Sequence, residues 1–204
     1  MTTPGRFICI LALLAAATAR AECGCLWQGS FSDVQGDTDL VASGTVTGRK
    51  GNSIDLSVER LLRGSEHLPE IRIWLKTGDY CRPEAELFPP GSQWVMALHR
   101  IDREVPGGFD PGTPNISYGR IGDYSLSSCG GYWLKLVDGL VTGNLVQAPR
   151  WVRDPKMTPV LLDLVAGYVS GELDADVLAK ASREDPALKE LMLDTRAFLR
   201  EQGD

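Results

Sequence analysis

The pattern of apolar and polar positions changes near residues 149–159. Before that point, short segments alternate apolar and polar residues, which is the period of a β-strand with one buried face. The segment LVASGTVTGRKGNSIDLSVERLL (40–62) predicts a hairpin that turns at Lys50, Gly51 and Asn52. EIRIWLKTG (70–78) repeats the alternation, and SQWVMALHRI (92–101) is a continuous apolar run typical of a strand buried on both faces. GGYWLKLVDGLVTGNLV (130–146) predicts a short strand pair around Asp138 and Gly139.

The residues after 158 follow a helical period instead. TPVLLDLVAGYVSGEL (158–173) predicts a helix with Thr158 as its N-cap and Pro159 at its first position. Asp174 and Asp185 are the expected N-caps of two further helices. The chain is therefore predicted to be mainly β with C-terminal helices: a small closed barrel or sandwich followed by a small helical segment.

The first 21 residues have the features of a secretory signal peptide. Arg6 supplies a positive charge, Phe7–Ala17 is an apolar stretch too short to span a bilayer, and Ala19-Arg20-Ala21 fits signal peptidase. We expect cleavage after Ala21. The mature protein is then periplasmic or extracellular, and no later apolar run is long enough to cross a membrane.

Charge narrows the range of partners. The whole chain has a formal net charge of −6, and loss of the segment 1–21 removes two arginines and makes the charge more negative. An acidic chain without a basic cluster is a poor ligand for nucleic acid. We therefore expect no nucleic-acid partner, and we expect the partner to be another exported protein.

Four cysteines remain after the predicted cleavage: Cys23, Cys25, Cys81 and Cys129. An even number in an exported chain indicates two disulfides, for which three pairings exist. A bridge between Cys23 and Cys25 is geometrically unfavourable, so both are expected to join distant partners. A zinc site is the alternative, but C-x-C followed by two isolated cysteines fits zinc spacing poorly.

Several motifs in order resemble the netrin-like (NTR) domain, the OB-fold module shared with the tissue inhibitors of metalloproteinases. They are the C-x-C pair at 23–25, DTDLVASGTV (37–46), VERLLRGS (58–65) before IRIWLKT (71–77), Cys81, FPPGSQWVMAL (88–98), and Cys129 before a Trp-containing strand. The resemblance spans about residues 23–146. It implies a five-stranded OB-like closed β-barrel over residues 22–150, between the signal peptide 1–21 and the helical segment 151–204.

The resemblance also implies two disulfides, Cys23–Cys81 and Cys25–Cys129, which would staple the N-terminal segment across the barrel. The third disulfide of the family's N-terminal domain is missing. In the family's inhibitors, the free α-amine and carbonyl of an N-terminal cysteine chelate the catalytic zinc of the protease. Here Glu22 precedes Cys23, which makes the Cys23 nitrogen an amide and a very poor ligand.

The predicted function is therefore that of an exported, non-enzymatic binding protein. Its candidate binding residues are Cys23, Gly24, Cys25, Leu26 and Trp27, beside the Gly- and Pro-rich loop 106–119. Gly24 has no side chain to enter a protease pocket, a second departure from the inhibitors. Inhibition of a metalloproteinase through Cys23 is the alternative function.

No motif indicates catalysis. The chain lacks G-x-S-x-G and H-E-x-x-H, and its two histidines, His67 and His99, stand in no recognisable motif. Asp33, Asp37 and Asp39 form an oxygen-rich stretch without EF-hand spacing, which favours a solvated loop over a calcium site. We predict no catalytic residue, no metal and no cofactor. Trp74 is predicted on the outside of the barrel, either under the C-terminal helices or exposed for a partner.

Overall fold

A computed structural model describes residues 23–78, 80–104, 117–147 and 159–182. The predicted signal peptide, most of the loop 106–119 and the helix expected after Asp185 lie outside these residues. None of the helices that the structure describes is long and apolar enough to cross a membrane.

Eight strands and three short α-helices make up the described fold. The strands are β1 (Leu40–Lys50), β2 (Ser53–Arg63), β3 (Glu70–Trp74), β4 (Gln93–Arg100), β5 (Tyr124–Ser125), β6 (Trp133–Val137), β7 (Leu140–Gly143) and β8 (Val160–Leu161). The helices are α1 (Phe31–Val34), α2 (Leu162–Val169) and α3 (Ala175–Ala181), and 3₁₀ turns occupy Gln35–Asp37 and Ala85–Leu87.

The first five strands close into a barrel. β1 pairs antiparallel with β2 on one side and with β4 on the other. β2 pairs with β3, β3 runs parallel to β5, and β5 returns to the end of β4. The closed order β1-β2-β3-β5-β4-β1 confirms the predicted mainly β fold with an OB-like five-stranded barrel and a small helical segment.

The β1–β2 hairpin turns where the sequence predicts, at Gly51 and Asn52, with Lys50 opposite Ser53. Its register shifts in three places along β1, which bends the long strands around the barrel. Beyond Val58, whose amide donates to the Pro69 carbonyl at 2.8 Å on the β3 side, β2 is paired only with β1 in the described part of the sheet.

Three outer strands extend the sheet from β4. β6 pairs with the first half of β4, β7 with β6, and β8 with β7. The β6–β7 turn consists of Asp138 and Gly139, whose φ angles of 50° and 77° are the left-handed values of a two-residue hairpin turn. This strand pair was predicted from the Asp-Gly signal.

The predicted start of the first C-terminal helix is wrong. Val160 and Leu161 form β8, opposite Val141 and Leu140, and α2 begins only at Leu162. The apolar residues of this segment follow a helical period, but Val160 and Leu161 form a strand because they pair with β7. Asp174 does stand at the N-cap position of α3, as predicted.

The short helices share the apolar core of the barrel. Val165, Val169 and Leu178 belong to the same buried cluster as the inward residues of β1–β4. The Tyr168 hydroxyl also donates to the Ser32 carbonyl at 2.8 Å, which joins α2 to α1. The described part of the C-terminal segment, residues 159–182, is thereby packed on the barrel.

Trp74 is buried, but beneath a loop. Its side chain is 2% exposed, and its indole N–H donates to Asp123 Oδ2 at 2.8 Å. A Cβ on Gly119 would lie 3.5 Å from the ring, and the Arg120 guanidinium lies 5.8 Å from its centroid. The segment 119–123 therefore covers Trp74, so it is not available to a partner.

Candidate functional site

The first described segment, Cys23–Gln28, is an extended stretch outside the regular sheet. Side-chain exposure alternates along it: the odd-numbered residues through Trp27 are half-buried, and the even-numbered residues are exposed. Leu26 is 84% exposed, and a Cβ on Gly24 would meet no atom within 4 Å. One face of the segment therefore rests on the protein while the other faces outward.

Two disulfides hold this segment. Cys23 is bonded to Cys81, 58 residues away, with a Cα–Cα distance of 5.1 Å. Cys25 is bonded to Cys129, 104 residues away, with a Cα–Cα distance of 5.7 Å. These are the two pairs that the resemblance implies, and they attach alternate residues of one segment to two separate loops.

The four cysteine sulfur atoms form one cluster. All four Sγ atoms lie within 4.8 Å of one another, and Cys23 Sγ is 3.8 Å from Cys25 Sγ. Cys129 is buried and the other three cysteines are half-buried. Sequence spacing alone did not predict this convergence, because Cys81 and Cys129 are brought together only by the fold.

Hydrogen bonds tie the same segments together independently of the disulfides. The Gln28 amide donates to the Cys129 carbonyl at 2.8 Å, and the Ser128 amide donates to the Cys81 carbonyl at 2.9 Å. The Tyr132 hydroxyl donates to Gln28 Oε1 at 2.6 Å. The N-terminal segment and both cysteine loops thus form one continuous hydrogen-bonded unit.

Beyond Gln28 the chain enters α1 through a tight cap. The amide and hydroxyl of Ser30 both donate to Asp33 Oδ2, at 2.7 and 2.9 Å. Asp39 Oδ2 accepts the Arg100 amide at 2.8 Å. Two of the three aspartates considered for calcium therefore serve as structural hydrogen-bond acceptors.

Two residues of the N-terminal segment whose side chains are outward have unpaired backbone groups in the described part of the chain. Within the part of the chain that the structure describes, the N–H and C=O groups of Gly24 and Leu26 make no hydrogen bond. An extended stretch with unpaired main-chain groups and one outward apolar side chain is suited to pairing with another polypeptide.

An aromatic and cationic group lies beside Cys81. The Tyr80 and Tyr118 rings stack at 5.0 Å, and the Arg82 guanidinium lies 4.7 Å from the Tyr80 centroid. Arg82 Nη1 donates to the Tyr118 carbonyl at 2.6 Å, and burial lowers the pKa of Arg82. No sequence motif marks this group, because Tyr118 approaches only through folding.

A second polar pair, which no sequence motif predicts, joins β5 to the loop after β2. The Tyr124 hydroxyl donates to Glu66 Oε2 at 2.6 Å. Burial, and then the bond to the Glu66 carboxylate, raises the pKa of Tyr124 to about 12. This tyrosine is therefore a neutral hydrogen-bond donor at physiological pH.

The two histidines occupy different environments. His67 is exposed in the loop after β2, and His99 is half-buried near the end of β4, 5.6 Å from the Tyr132 ring. The expectation that neither is catalytic stays a prediction. Of the loop 106–119, only residues 117–119 are described.

The described site therefore combines an outward extended segment with a rigid double-disulfide support. Comparisons of the chain with protein-family models, with curated proteins and with solved structures find no match.

Proposed function

We propose that this chain is an exported, non-enzymatic binding protein whose disulfide-stapled barrel presents Cys23–Trp27 to another exported protein. The observation that carries the proposal is the 84% exposure of Leu26 on a segment that disulfides fix at Cys23 and Cys25. Transfer of this apolar side chain from water into a partner would stabilise the complex.

Disulfides support the exported location. Both bonds need an oxidising compartment to persist, and the segment 1–21 has the sequence features of a signal that leads there. The periplasm and the extracellular space both meet this requirement.

The binding mode follows from the two faces of the segment. Leu26 would enter an apolar pocket of the partner, while the unpaired main-chain groups of Gly24 and Leu26 pair with an extended strand. Covering a Leu side chain is worth about 1.5–3 kcal/mol, so Leu26→Ala should weaken binding by about one to two orders of magnitude.

Site-specific photocrosslinking tests the proposal. A photoreactive amino acid replaces Leu26 in the protein exported by its own cells, and a second preparation carries it at Ile121, which is 65% exposed on a different loop. We expect a discrete adduct from position 26 that excess unlabelled protein suppresses and excess Leu26→Asp protein does not. No adduct from position 26, or the same adducts from both positions, would overturn the proposal.

The mature N-terminus separates this function from metalloproteinase inhibition. A chain that begins at Glu22 has an amide at Cys23 and cannot chelate zinc through that nitrogen. A chain that begins at Cys23 frees the α-amine and makes the inhibitor the better hypothesis. Intact mass of the exported protein distinguishes the two.

A further inference from the structure

The four cysteine sulfur atoms lie within the space that a metal tetrathiolate occupies, although two pairs of them are bonded. In a tetrahedral zinc site with Zn–S bonds of about 2.3 Å, neighbouring sulfurs lie about 3.8 Å apart. The Sγ atoms of Cys23 and Cys25 are 3.8 Å apart, and all four Sγ atoms lie within 4.8 Å of one another. The two disulfides therefore already place four sulfurs around one point.

Reduction would require small movements only. The sulfurs of each pair, about 2 Å apart when bonded, must separate to about 3.8 Å, which rotation of the side chains about Cα–Cβ can provide. The Cα atoms of the two bonded pairs are 5.1 and 5.7 Å apart and can keep their positions. C-x-C spacing is unusual for zinc, but here the third and fourth ligands come from separate loops already in position.

Main-chain hydrogen bonds, as well as the disulfides, hold the ligands near one another. The Ser128–Cys81 and Gln28–Cys129 hydrogen bonds join all three cysteine-bearing segments through main-chain groups. The Gly131 amide adds a bond to the Gly29 carbonyl at 2.9 Å. These contacts remain chemically possible after both S–S bonds are broken.

We propose that the reduced protein binds one Zn²⁺ ion through the thiolates of Cys23, Cys25, Cys81 and Cys129. Two molecules of a dithiol reductant of the thioredoxin class deliver four electrons and four protons, and each becomes a disulfide. The four protein thiols then release four protons as the ion binds, which leaves a zinc tetrathiolate of net charge −2.

Four thiolates around a tetrahedral site select zinc among the abundant divalent ions. With all four positions taken by protein ligands, the site is structural and closed to substrate. Its consequence is that the N-terminal segment stays attached to the barrel in both redox states, through metal in one and through disulfides in the other. The inference is independent of the proposed partner.

Cobalt titration of the reduced chain tests the proposal. The fifth cysteine of the full chain, Cys9, lies in the predicted signal peptide and is replaced by Ser, so that the cluster provides every thiol. A phosphine reductant avoids competing thiols. We expect one Co²⁺ per chain, with the visible bands and sulfur-to-cobalt charge transfer of a tetrahedral tetrathiolate, and complete displacement of cobalt by one Zn²⁺. The tryptophan and tyrosine bands in the near-ultraviolet circular dichroism of the zinc form should match those of the oxidised protein.

The double variant Cys23→Ser/Cys81→Ser is the matched control. Its Cys25–Cys129 bond can form, so its fold can be verified in the oxidised state, and after reduction it offers only two thiolates. We expect its charge-transfer absorbance to fall to about half that of the four-cysteine chain, with loss of the tetrathiolate bands.

Three results would overturn the proposal. They are no cobalt spectrum from the reduced four-cysteine chain, a stoichiometry other than one, and metal binding without recovery of the native circular dichroism. The last result would mean that an unfolded chain collects metal through its thiols, without the preformed cluster.

Discussion

Removing either disulfide should lower the free energy of unfolding by nearly the same amount, although their sequence separations are 58 and 104 residues. The reason is that only one residue, Gly24, separates Cys23 from Cys25 in the chain. When one disulfide is kept, the second disulfide closes a ring that passes through the first bond and through the chain from Cys81 to Cys129. This ring contains about 50 residues in both cases.

A loop of that length corresponds to about 4 kcal/mol in the chain-entropy model. We expect this loss from Cys23→Ala/Cys81→Ala and from Cys25→Ala/Cys129→Ala alike. The loss arises in the unfolded state, which gains freedom, so the dependence of unfolding free energy on urea should also become steeper.

The measurement is urea unfolding without reductant, followed by tryptophan fluorescence, after a thiol count shows that the remaining bond is intact. Single loops of 58 and 104 residues would differ by only about 0.5 kcal/mol, so unequal loop length cannot explain a large gap. If the two variants differ by more than about 1.5 kcal/mol, the loop-entropy reasoning is wrong, and native contacts at one bond determine its value.

Two further predictions concern the barrel. Gly44→Ala should destabilise the protein by about 1–3 kcal/mol in urea unfolding, because a Cβ at this position overlaps the carbonyl oxygen of Ser57 on β2. Gly36→Ala is the control: a Cβ there meets no atom within 4 Å, so the change should be neutral or stabilise the protein by up to about 1 kcal/mol. Equal effects of the two substitutions would contradict this. Between pH 10 and 12, stability should fall, because unfolded tyrosine loses its proton near pH 10 while folded Tyr124, hydrogen-bonded to Glu66, keeps it up to about 12. Tyr124→Phe should make that fall shallower in unfolding measured across this pH range, and an unchanged slope would refute the assignment.

Local signals carried most of the strand prediction. Gly51 has a φ of 59°, and Asp138 and Gly139 also have positive φ. The residue types that predicted the turns therefore lie at positions with a left-handed backbone, which they favour. Alternation then fixes which face of each strand is buried. Ile71 and Ile73 point into the core as their spacing predicts.

Tertiary pairing explains the failures. Val160 and Leu161 fit a helical period and become strand because β7 offers them partners. Trp74 is covered by the segment after Gly119, which lies far away in sequence and carries no apolar pattern. Neither outcome is encoded within a window of neighbouring residues.

In the candidate site, too, local sequence signals predict some features and tertiary contacts determine the others. The alternate exposure of Cys23–Gln28 was not predicted, although cysteines at alternate positions are compatible with an extended segment. The choice between the two remaining disulfide pairings came from resemblance, since spacing left it open. The clustering of all four sulfurs depends on where the loops around Cys81 and Cys129 meet, which only the fold determines.

The one-sided pairing of β2 beyond Val58 bears on how the protein behaves when concentrated. A strand with a free side is a template for adding a strand from a neighbouring molecule, which leads to aggregation. Here that stretch carries exposed Glu59 and Arg60, and Arg60 is held by Asp163 of α2 at 2.5 Å. Charged side chains and the neighbouring helix α2 thus lie along an edge that barrel closure leaves open, and both features disfavour the addition of a strand from another molecule.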